Sequence, residues 1–287
     1  MRFSARSGIV DGVVLLLALP LLVSPSAGQD AKPKNNQLKN VELCNGLGRT
    51  SVEARIEGCT ALIQTVQGSA KALPIAYNNR GNAYVAKGDY DRAIQDFDQS
   101  IKLDQSYMKP VNNRGAAYLR KGEYDVAIGA FDEAIRLKPD YGEAFANRAE
   151  AYLKKNDYDR AARDFDEALR INPDLQAALN GRCWARAIVG ALQGALDDCN
   201  KALQTQPGSA GVYDSRALVY LKMGRFGTAI EDYNSALRLD PRLANALYGR
   251  SYARLKNGDK AGSDNDAAAA KAIDPAITDN FTHYRLQ

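Results

Sequence analysis

Residues 108–141, MKPVNNRGAAYLRKGEYDVAIGAFDEAIRLKPDY, decide the fold of this chain. Gly122 separates two runs with helical spacing of apolar residues, and Pro139 follows the second run. Small and aromatic residues fall on the facing sides of the two runs: Gly115, Tyr118, Ala127, Phe131 and Ala134. Because glycine and proline end helices, the stretch predicts two short amphipathic helices joined by a tight turn.

The same skeleton returns when the frame is moved by 34 residues in either direction. The preceding copy carries Gly81, Tyr84, Gly88, Ala93 and Phe97; the following copy carries Ala149, Tyr152, Ala161, Phe165, Ala168 and Pro173. This period, with its recurring tyrosine, phenylalanine and terminal proline, resembles the tetratricopeptide repeat. The resemblance implies an all-α protein, a right-handed superhelical solenoid of antiparallel helix pairs. First helices are then expected on its inner surface and second helices on its outer surface.

The 34-residue frame divides most of the chain into repeats. Six repeats are predicted, at residues 74–107, 108–141, 142–175, 176–209, 210–243 and 244–277. A degenerate repeat at about 40–73 precedes them. Residues 278–287 are expected to form a C-terminal cap, with Phe281 and Tyr284 covering the open end of the array.

The N-terminal residues 1–28 have the pattern of a secretory signal peptide. Arg2 and Arg6 precede a short apolar run at 12–23, and small residues follow it. Cleavage is expected after Gly28, with Ala27 as the second choice, and residues 29–39 then form a polar linker. The pattern predicts export to the periplasm or the medium. The alternative is an uncleaved membrane anchor.

Composition and motifs argue against several functional classes. The 38 basic and 34 acidic residues give a net charge of only +4, and no cluster of Lys and Arg stands out as a nucleic-acid surface. The single histidine, His283, has no nucleophile motif to serve. The segment CNGLGRTS at 44–51 lacks the spacing of a phosphate-binding loop. We therefore predict a protein that is not an enzyme, with no cofactor or metal and no nucleic-acid or membrane partner after signal cleavage.

Four cysteines fall into two pairs that are close in sequence, Cys44 with Cys59 and Cys183 with Cys199. An oxidising compartment favours disulfides. In the register of the repeat, Cys183 takes the small position of a first helix, and Cys199 takes the phenylalanine position that faces it. Cys59 takes the corresponding alanine position of the degenerate repeat, with Cys44 on the helix before it. The register therefore implies these two disulfides, and buried free thiols are the alternative.

The resemblance also implies a peptide-binding groove along the inner faces of the first helices. Its candidate residues are polar in the first repeats and aromatic in the later ones: Asn78, Asn79, Asn82, Lys109, Asn112, Asn113, Asn147, Trp184, Tyr248 and Tyr252. An amide side chain both donates and accepts hydrogen bonds, so it can pair with the backbone of an extended peptide of any sequence. The alternative is that these asparagines only cap solvent-facing helices.

Six arginines recur with the repeat, each one residue before the small position of a first helix: Arg80, Arg114, Arg148, Arg182, Arg216 and Arg250. We expect their stems to cover apolar surface and their guanidinium groups to meet aspartates of adjacent second helices. The candidate acceptors are Asp96, Asp132, Asp164, Asp198 and Asp232. The alternative is a basic row that binds an anionic ligand.

Taken together, these patterns predict a scaffold in the cell envelope that binds an extended segment of a partner protein. The carboxylate clamp of some tetratricopeptide proteins is not carried over, because Asn78, Glu143 and Asn147 occupy its basic positions. The alternative function is a structural spacer or oligomerisation module that acts through its outer face or its end.

Overall fold

The structure is a computed structural model that describes residues 31–48, 50–65, 72–282 and 284. These residues form α-helices and no strand. The fifteen helices are α1 (Ala31–Cys44), α2 (Val52–Thr65), α3 (Ala72–Lys87), α4 (Tyr90–Leu103), α5 (Met108–Lys121), α6 (Tyr124–Leu137), α7 (Gly142–Lys154), α8 (Tyr158–Ile171), α9 (Gln176–Val189), α10 (Leu192–Thr205), α11 (Ala210–Lys222), α12 (Phe226–Leu239), α13 (Ala244–Lys256), α14 (Lys260–Ile273) and α15 (Ile277–Thr282).

The helices pack as consecutive pairs, which confirms the predicted tetratricopeptide-type helical fold. Each predicted repeat holds one pair, from α3 and α4 in residues 74–107 to α13 and α14 in residues 244–277. The chain divides into two compact units at Pro139 and Asp140. We refer to α1–α6 as the N-terminal unit and to α7–α15 as the C-terminal unit.

The start of the chain differs from the prediction. Helix α1 begins at Ala31, so most of the stretch 29–39 is helical and is not a linker. Its end, Cys44, packs with Cys59, Leu62 and Ala76 in a buried cluster. The predicted signal peptide at 1–28 lies outside the described residues.

A residue with positive φ closes the turn inside most helix pairs. Gly122, between α5 and α6, has φ of 84°, and its amide donates to the carbonyl oxygen of Leu119. Asn156 holds the same position one repeat later with φ of 59°. Glycine and asparagine adopt this left-handed conformation at the lowest cost, which explains why they punctuate the sequence there.

In four repeats, the second helix carries an aromatic ring that fits against a glycine of a first helix. A Cβ atom added to Gly81 would lie 2.6 Å from the ring of Phe97, so only glycine fits there. Gly115 has the same relation to Phe131. In the C-terminal unit the ring points towards the next repeat instead, since Phe165 abuts Gly181 and Tyr233 abuts Gly249. Each of these rings therefore requires one glycine on a neighbouring first helix.

The second helix of the repeat at 176–209 has no ring, because Cys199 stands where the ring would be. The two positions that could face such a ring hold Cys183 in the same repeat and Ser215 in the next one, and neither is glycine. Cys183 and Cys199 form a disulfide with a Cα–Cα distance of 5.5 Å. Cys44 and Cys59 form the second one, with a Cα–Cα distance of 4.5 Å. Both predicted pairings are confirmed.

The recurring arginines bridge second helices. In Arg80, Arg182, Arg216 and Arg250 the Nε and Nη2 atoms donate to both oxygens of the aspartate 16 residues later. In three of these arginines, Nη1 also donates to the residue 16 positions earlier, on the preceding second helix. The pairs are Arg182 with Asp166, Arg216 with Asn200 and Arg250 with Asn234. Each guanidinium thus joins its own repeat to the one before it.

Arg114 departs from this pattern. The residue 16 positions later is Ala130, which offers no acceptor, so Arg114 bonds Asp98 and Glu133 instead. Neither acceptor of Arg114 is among the predicted aspartates. Four predicted aspartates, Asp96, Asp164, Asp198 and Asp232, pair with recurring arginines as expected. Asp266, which was not among the predicted acceptors, pairs with Arg250.

Removing one bridging carboxylate should destabilise the protein. Asp232 is buried, and its loss in Asp232→Ala leaves the half-buried guanidinium of Arg216 without its two bonds to that carboxylate. We expect the free energy of unfolding to fall by about 2–3 kcal/mol, measured by urea unfolding followed by circular dichroism. The control is Asp264→Ala, which breaks an exposed pair with Lys260 and should cost no more than about 0.5 kcal/mol. Equal losses in the two variants would contradict the bridge.

The ring-and-glycine rule predicts how the Cys183–Cys199 disulfide can be replaced. The double variant Cys183→Gly, Cys199→Phe recreates the pair found at Gly81 and Phe97. It should recover most of the roughly 3 kcal/mol lost in the Cys183→Ser, Cys199→Ser variant, and a reductant should no longer act at this repeat. The matched control, Cys183→Ala with Cys199→Phe, places a Cβ against the ring and should be about 1–3 kcal/mol less stable than the glycine version. Thermal unfolding of the three variants tests the rule.

Candidate functional site

The first helices of the N-terminal unit carry a network of amide side chains. Asn79 Nδ2 donates to Asn45 Oδ1 at 3.2 Å, and Asn78 Nδ2 donates to Asn79 Oδ1 at 3.3 Å. Asn113 Nδ2 donates to Asn78 Oδ1 and Asn82 Oδ1, both at 3.0 Å. The amides therefore link α3 to α5 and to the residue that follows α1.

This network corrects the prediction for three groove residues. Asn78 is 1% exposed, and Asn79 and Asn112 are each 5% exposed, so a partner does not reach them. Stacking the first helices brings Asn78 and Asn79 within hydrogen-bonding distance of other amides, which satisfies them internally. Asn82, Lys109 and Asn113 remain partly exposed on this face of the N-terminal unit.

In the C-terminal unit, Trp184 is also buried, at 4% exposure, so the expectation that it faces an open groove is wrong. Its ring lies between those of Tyr158 and Tyr284, with centroid distances of 5.6 Å to each and edge-on geometry. Tyr158 begins α8 and Tyr284 belongs to the C-terminal tail. Aromatic pairs favour this edge-to-face arrangement, which makes Trp184 the centre of an aromatic cluster.

The C-terminal tail supplies the rest of this cluster. Phe281 of α15 lies 4.7 Å from Tyr248 of α13 and 4.3 Å from Tyr284, measured between ring centroids. Lys222, at the end of α11, donates from Nζ to the carbonyl oxygen of Tyr284 at 2.9 Å. The tail therefore contacts first helices of three repeats. Besides the expected position over the end of the array, the tail also contacts an earlier repeat, because Tyr284 packs against Trp184 of α9.

The remaining candidates are partly exposed. Tyr248 lies against Phe281, Lys256 Nζ lies 5.5 Å from the ring of Tyr252, and Asn147 lies on α7. Tyr248 and Tyr252 are one helical turn apart, so they share a face of α13. The structure thus brings Trp184 and Tyr248 together through the tail, and leaves Tyr252 accessible.

Asp214 on α11 is the most perturbed carboxylate of this face. Burial raises its pKa to about 7. Its charge in turn contributes to the raised pKa values of Tyr233 and Tyr284, for which burial is the main cause. Asp214 occupies the position of Asn78, Asn112 and Tyr248 in the 34-residue frame, so the register could have identified it. Lys222 and Tyr158 were not among the predicted groove residues, and no motif marks them in the sequence.

Among the described residues, no group of His, Cys, Asp and Glu side chains is arranged to hold a metal ion. In the same part of the chain, every helix is too short or too polar to cross a membrane. What the face offers is aromatic surface, a lysine that donates to a backbone carbonyl, and partly exposed amides. Side chains of these kinds can contact the backbone and the side chains of a polypeptide.

The raised pKa of Asp214 predicts a dependence of stability on pH. The unfolded carboxyl group loses its proton near its ordinary pKa of 3.8, whereas the folded one keeps it up to about pH 7. This contribution to stability is complete below pH 3.8 and is lost as the pH rises through 7. Asp214→Asn should therefore raise the free energy of unfolding by roughly 1–2 kcal/mol at pH 8 and by much less at pH 4. Urea unfolding at the two pH values measures it, with the exposed Asp140→Asn as the control; an equal gain at both would contradict it.

Solved structures with this arrangement of helices are known. A tetratricopeptide repeat protein from Parabacteroides merdae ATCC 43184 is similar with a TM-score of 0.64 and 18% identity, over 88% of this chain and 98% of that one. YrrB, described as a tetratricopeptide protein with an unusual peptide-binding site, gives a TM-score of 0.52 and 22% identity over 68% of this chain and 98% of its own. PilW, a type IV pilus biogenesis factor, gives 0.62 and 19% over 73% and 96%. At these identities the likeness concerns the fold.

A search among curated proteins gave no sequence match. Models of the repeat family do match the sequence. Tetratricopeptide repeat models match residues 74–107, 112–176 and 146–210, and a further model of the same repeat matches 217–258. With the paired helices and the recurring turn and arginine positions, these matches establish that the chain belongs to the tetratricopeptide repeat family.

Proposed function

We infer that this protein is a non-enzymatic scaffold of the cell envelope that binds a peptide segment of a partner protein along its first helices. Tetratricopeptide proteins serve in general as protein-interaction scaffolds, and YrrB shows that a protein of this fold can carry a peptide-binding site. For this chain we propose that the binding surface lies on the first helices and that the compartment is the cell envelope.

One observation carries the proposal: a peptide segment already lies on the first helices of the C-terminal unit. That segment is the chain's own tail, held by Tyr248, Trp184 and Lys222. Aromatic side chains and a donor to a backbone carbonyl are the groups by which such a face takes up peptides. The surface therefore has the chemistry that binding requires.

Fewer amide side chains are exposed to an extended peptide backbone than the sequence predicts, because Asn78, Asn79 and Asn112 are buried. Only Asn82 and Asn113 of the N-terminal unit, together with Asn147 and Lys109, remain partly exposed for it. An extended segment on the N-terminal unit would contact Asn82, Lys109 and Asn113. The aromatic part of the C-terminal unit contributes most of the apolar area that a partner could bury.

The location in the cell envelope rests on the two disulfides. Both join cysteines that are fully buried, and the described residues contain no free cysteine. Disulfides form and persist in oxidising compartments and are rare in the cytosol. An exported protein would meet that condition.

A selection of random peptides from a display library tests the function. Peptides recovered on the purified protein should bind with dissociation constants of about 1–100 μM by isothermal titration calorimetry. Lys109→Ala and Tyr252→Ala change partly exposed residues of the inner face in the two units. One or both should weaken a given peptide by about tenfold, the loss of roughly 1.4 kcal/mol of contact.

The matched controls are Val126→Ala and Leu239→Ala, which remove exposed apolar side chains from second helices. They should leave peptide affinity unchanged. If they weaken the peptides, or cause the protein to lose self-association measured by light scattering, while the inner-face variants have no effect, the spacer or oligomerisation function is favoured instead.

A further inference from the structure

The C-terminal tail presents an anchor pattern of its own. Ile277, Phe281 and Tyr284 are 0%, 6% and 2% exposed, whereas Thr278 and Asp279 between them are exposed. The three buried residues are spaced i, i+4 and i+7, the pattern of an amphipathic helix laid into a groove. The amide of Tyr284 donates to the carbonyl oxygen of Phe281, so the chain still turns in the same sense after α15 ends.

The surface that receives these anchors is assembled from three first helices. Tyr248 of α13 contacts Phe281, and Trp184 of α9 contacts Tyr284 edge-on. Lys222 of α11 donates to the backbone oxygen of Tyr284. A charged donor strengthens a hydrogen bond to a backbone oxygen, whichever side chain the residue carries. The surface therefore contacts both the side chains and the backbone of the segment.

Without these contacts, little else stabilises the ordered conformation of the tail. Helix α15 contains six residues, too few to be stable alone in water. It packs only on α13 and α14 among the described helices. Short segments with few packed neighbours open at low free-energy cost. The tail is thus ordered by the surface that it covers.

We propose that the tail is a displaceable occupant of the surface formed by Trp184, Lys222 and Tyr248, and that the partner is a helical segment with an apolar residue and two aromatic residues at the same i, i+4 and i+7 spacing. This rests on the proposed function and adds to it the chemistry of the partner and a form of regulation. The tail keeps the aromatic surface covered until a segment with the same anchors replaces it.

The covalent attachment sets how strongly the tail competes. A tethered segment acts at an effective concentration of about 1 mM. If the free segment binds with a dissociation constant of about 50 μM, the attached tail weakens an incoming peptide by roughly 20-fold. Releasing the tail should therefore strengthen binding of an added peptide by about that factor.

Release of the tail can be followed by tryptophan fluorescence, because Trp184 is the only tryptophan of the chain. In the full chain with Phe281→Ala and Tyr284→Ala, the emission of Trp184 should move to longer wavelength, and acrylamide should quench it at least twofold more efficiently than in the unchanged protein. The matched control, Thr278→Ala with Asp279→Ala, alters exposed residues of the same helix and should behave as the unchanged protein. Circular dichroism checks that all variants keep their helices.

The second step adds the peptide AITDNFTHYRLQ, residues 276–287, in trans. It should restore the emission and quenching of Trp184 in the released variant, with roughly 20-fold higher affinity than for the unchanged protein. A peptide with alanine in place of both aromatic residues should not bind. Should the double variant lose helicity, Tyr284→Ala alone and a titration of the unchanged protein with millimolar peptide give the same comparison.

Three results would overturn the proposal. The first is an unchanged Trp184 signal in the released variant, and the second is a released variant that opens but does not take up the peptide. The third is a dimer of the unchanged protein that dissociates in the released variant, since the occupant would then be the tail of a second copy. Library peptides that bind the inner face while the tail peptide does not would leave the proposed function standing and refute this inference alone.

Discussion

The distance between a second helix and a neighbouring first helix depends on an aromatic ring that fits against a glycine. Phe97 and Phe131 lie against glycines of their own repeats, whereas Phe165 and Tyr233 lie against glycines of the following repeats. A Cβ atom at any of these glycines would overlap the ring, so the helix axes could not approach as closely. In the repeat at 176–209, which has no ring at this position, two cysteines are bonded directly. Each of these five repeats thus closes its interior by one of two means.

The same register carries different chemistry in the two units. The position of Asn78 holds Asn112 in the next repeat, and it holds Ala146, Asn180, Asp214 and Tyr248 in the C-terminal unit. In the N-terminal unit the amides of this face bond one another and fix neighbouring first helices. In the C-terminal unit the aromatic residues pack with the tail. The first arrangement satisfies itself, while the second needs an additional segment to cover it.

Much of the fold could be predicted from the sequence, because the period fixes which positions face each other. The helix pairs, the disulfides and four of the five expected aspartate acceptors follow from the 34-residue frame. The exposure of the site residues could not be predicted in this way. Asn79 donates to Asn45, which holds the same position one period earlier, in the degenerate repeat. Trp184 packs against Tyr284 of the tail, which has no counterpart in the period. The period places Asn45 at the position that matches Asn79, but it does not indicate that these amides bond each other, and it does not describe the tail. Arg114 departs from the pattern because a single alanine removes its acceptor.

The arginine bridges have a consequence for how such a chain can change in length. Arg182, Arg216 and Arg250 each need an acceptor 16 residues ahead and another 16 residues behind. Duplication or deletion of one whole period places an equivalent arginine between an equivalent pair of acceptors. An insertion of any other size within this span separates a half-buried guanidinium from one of its partners. Insertions and deletions in this region therefore keep the arginine bridges intact only when they comprise whole periods of 34 residues.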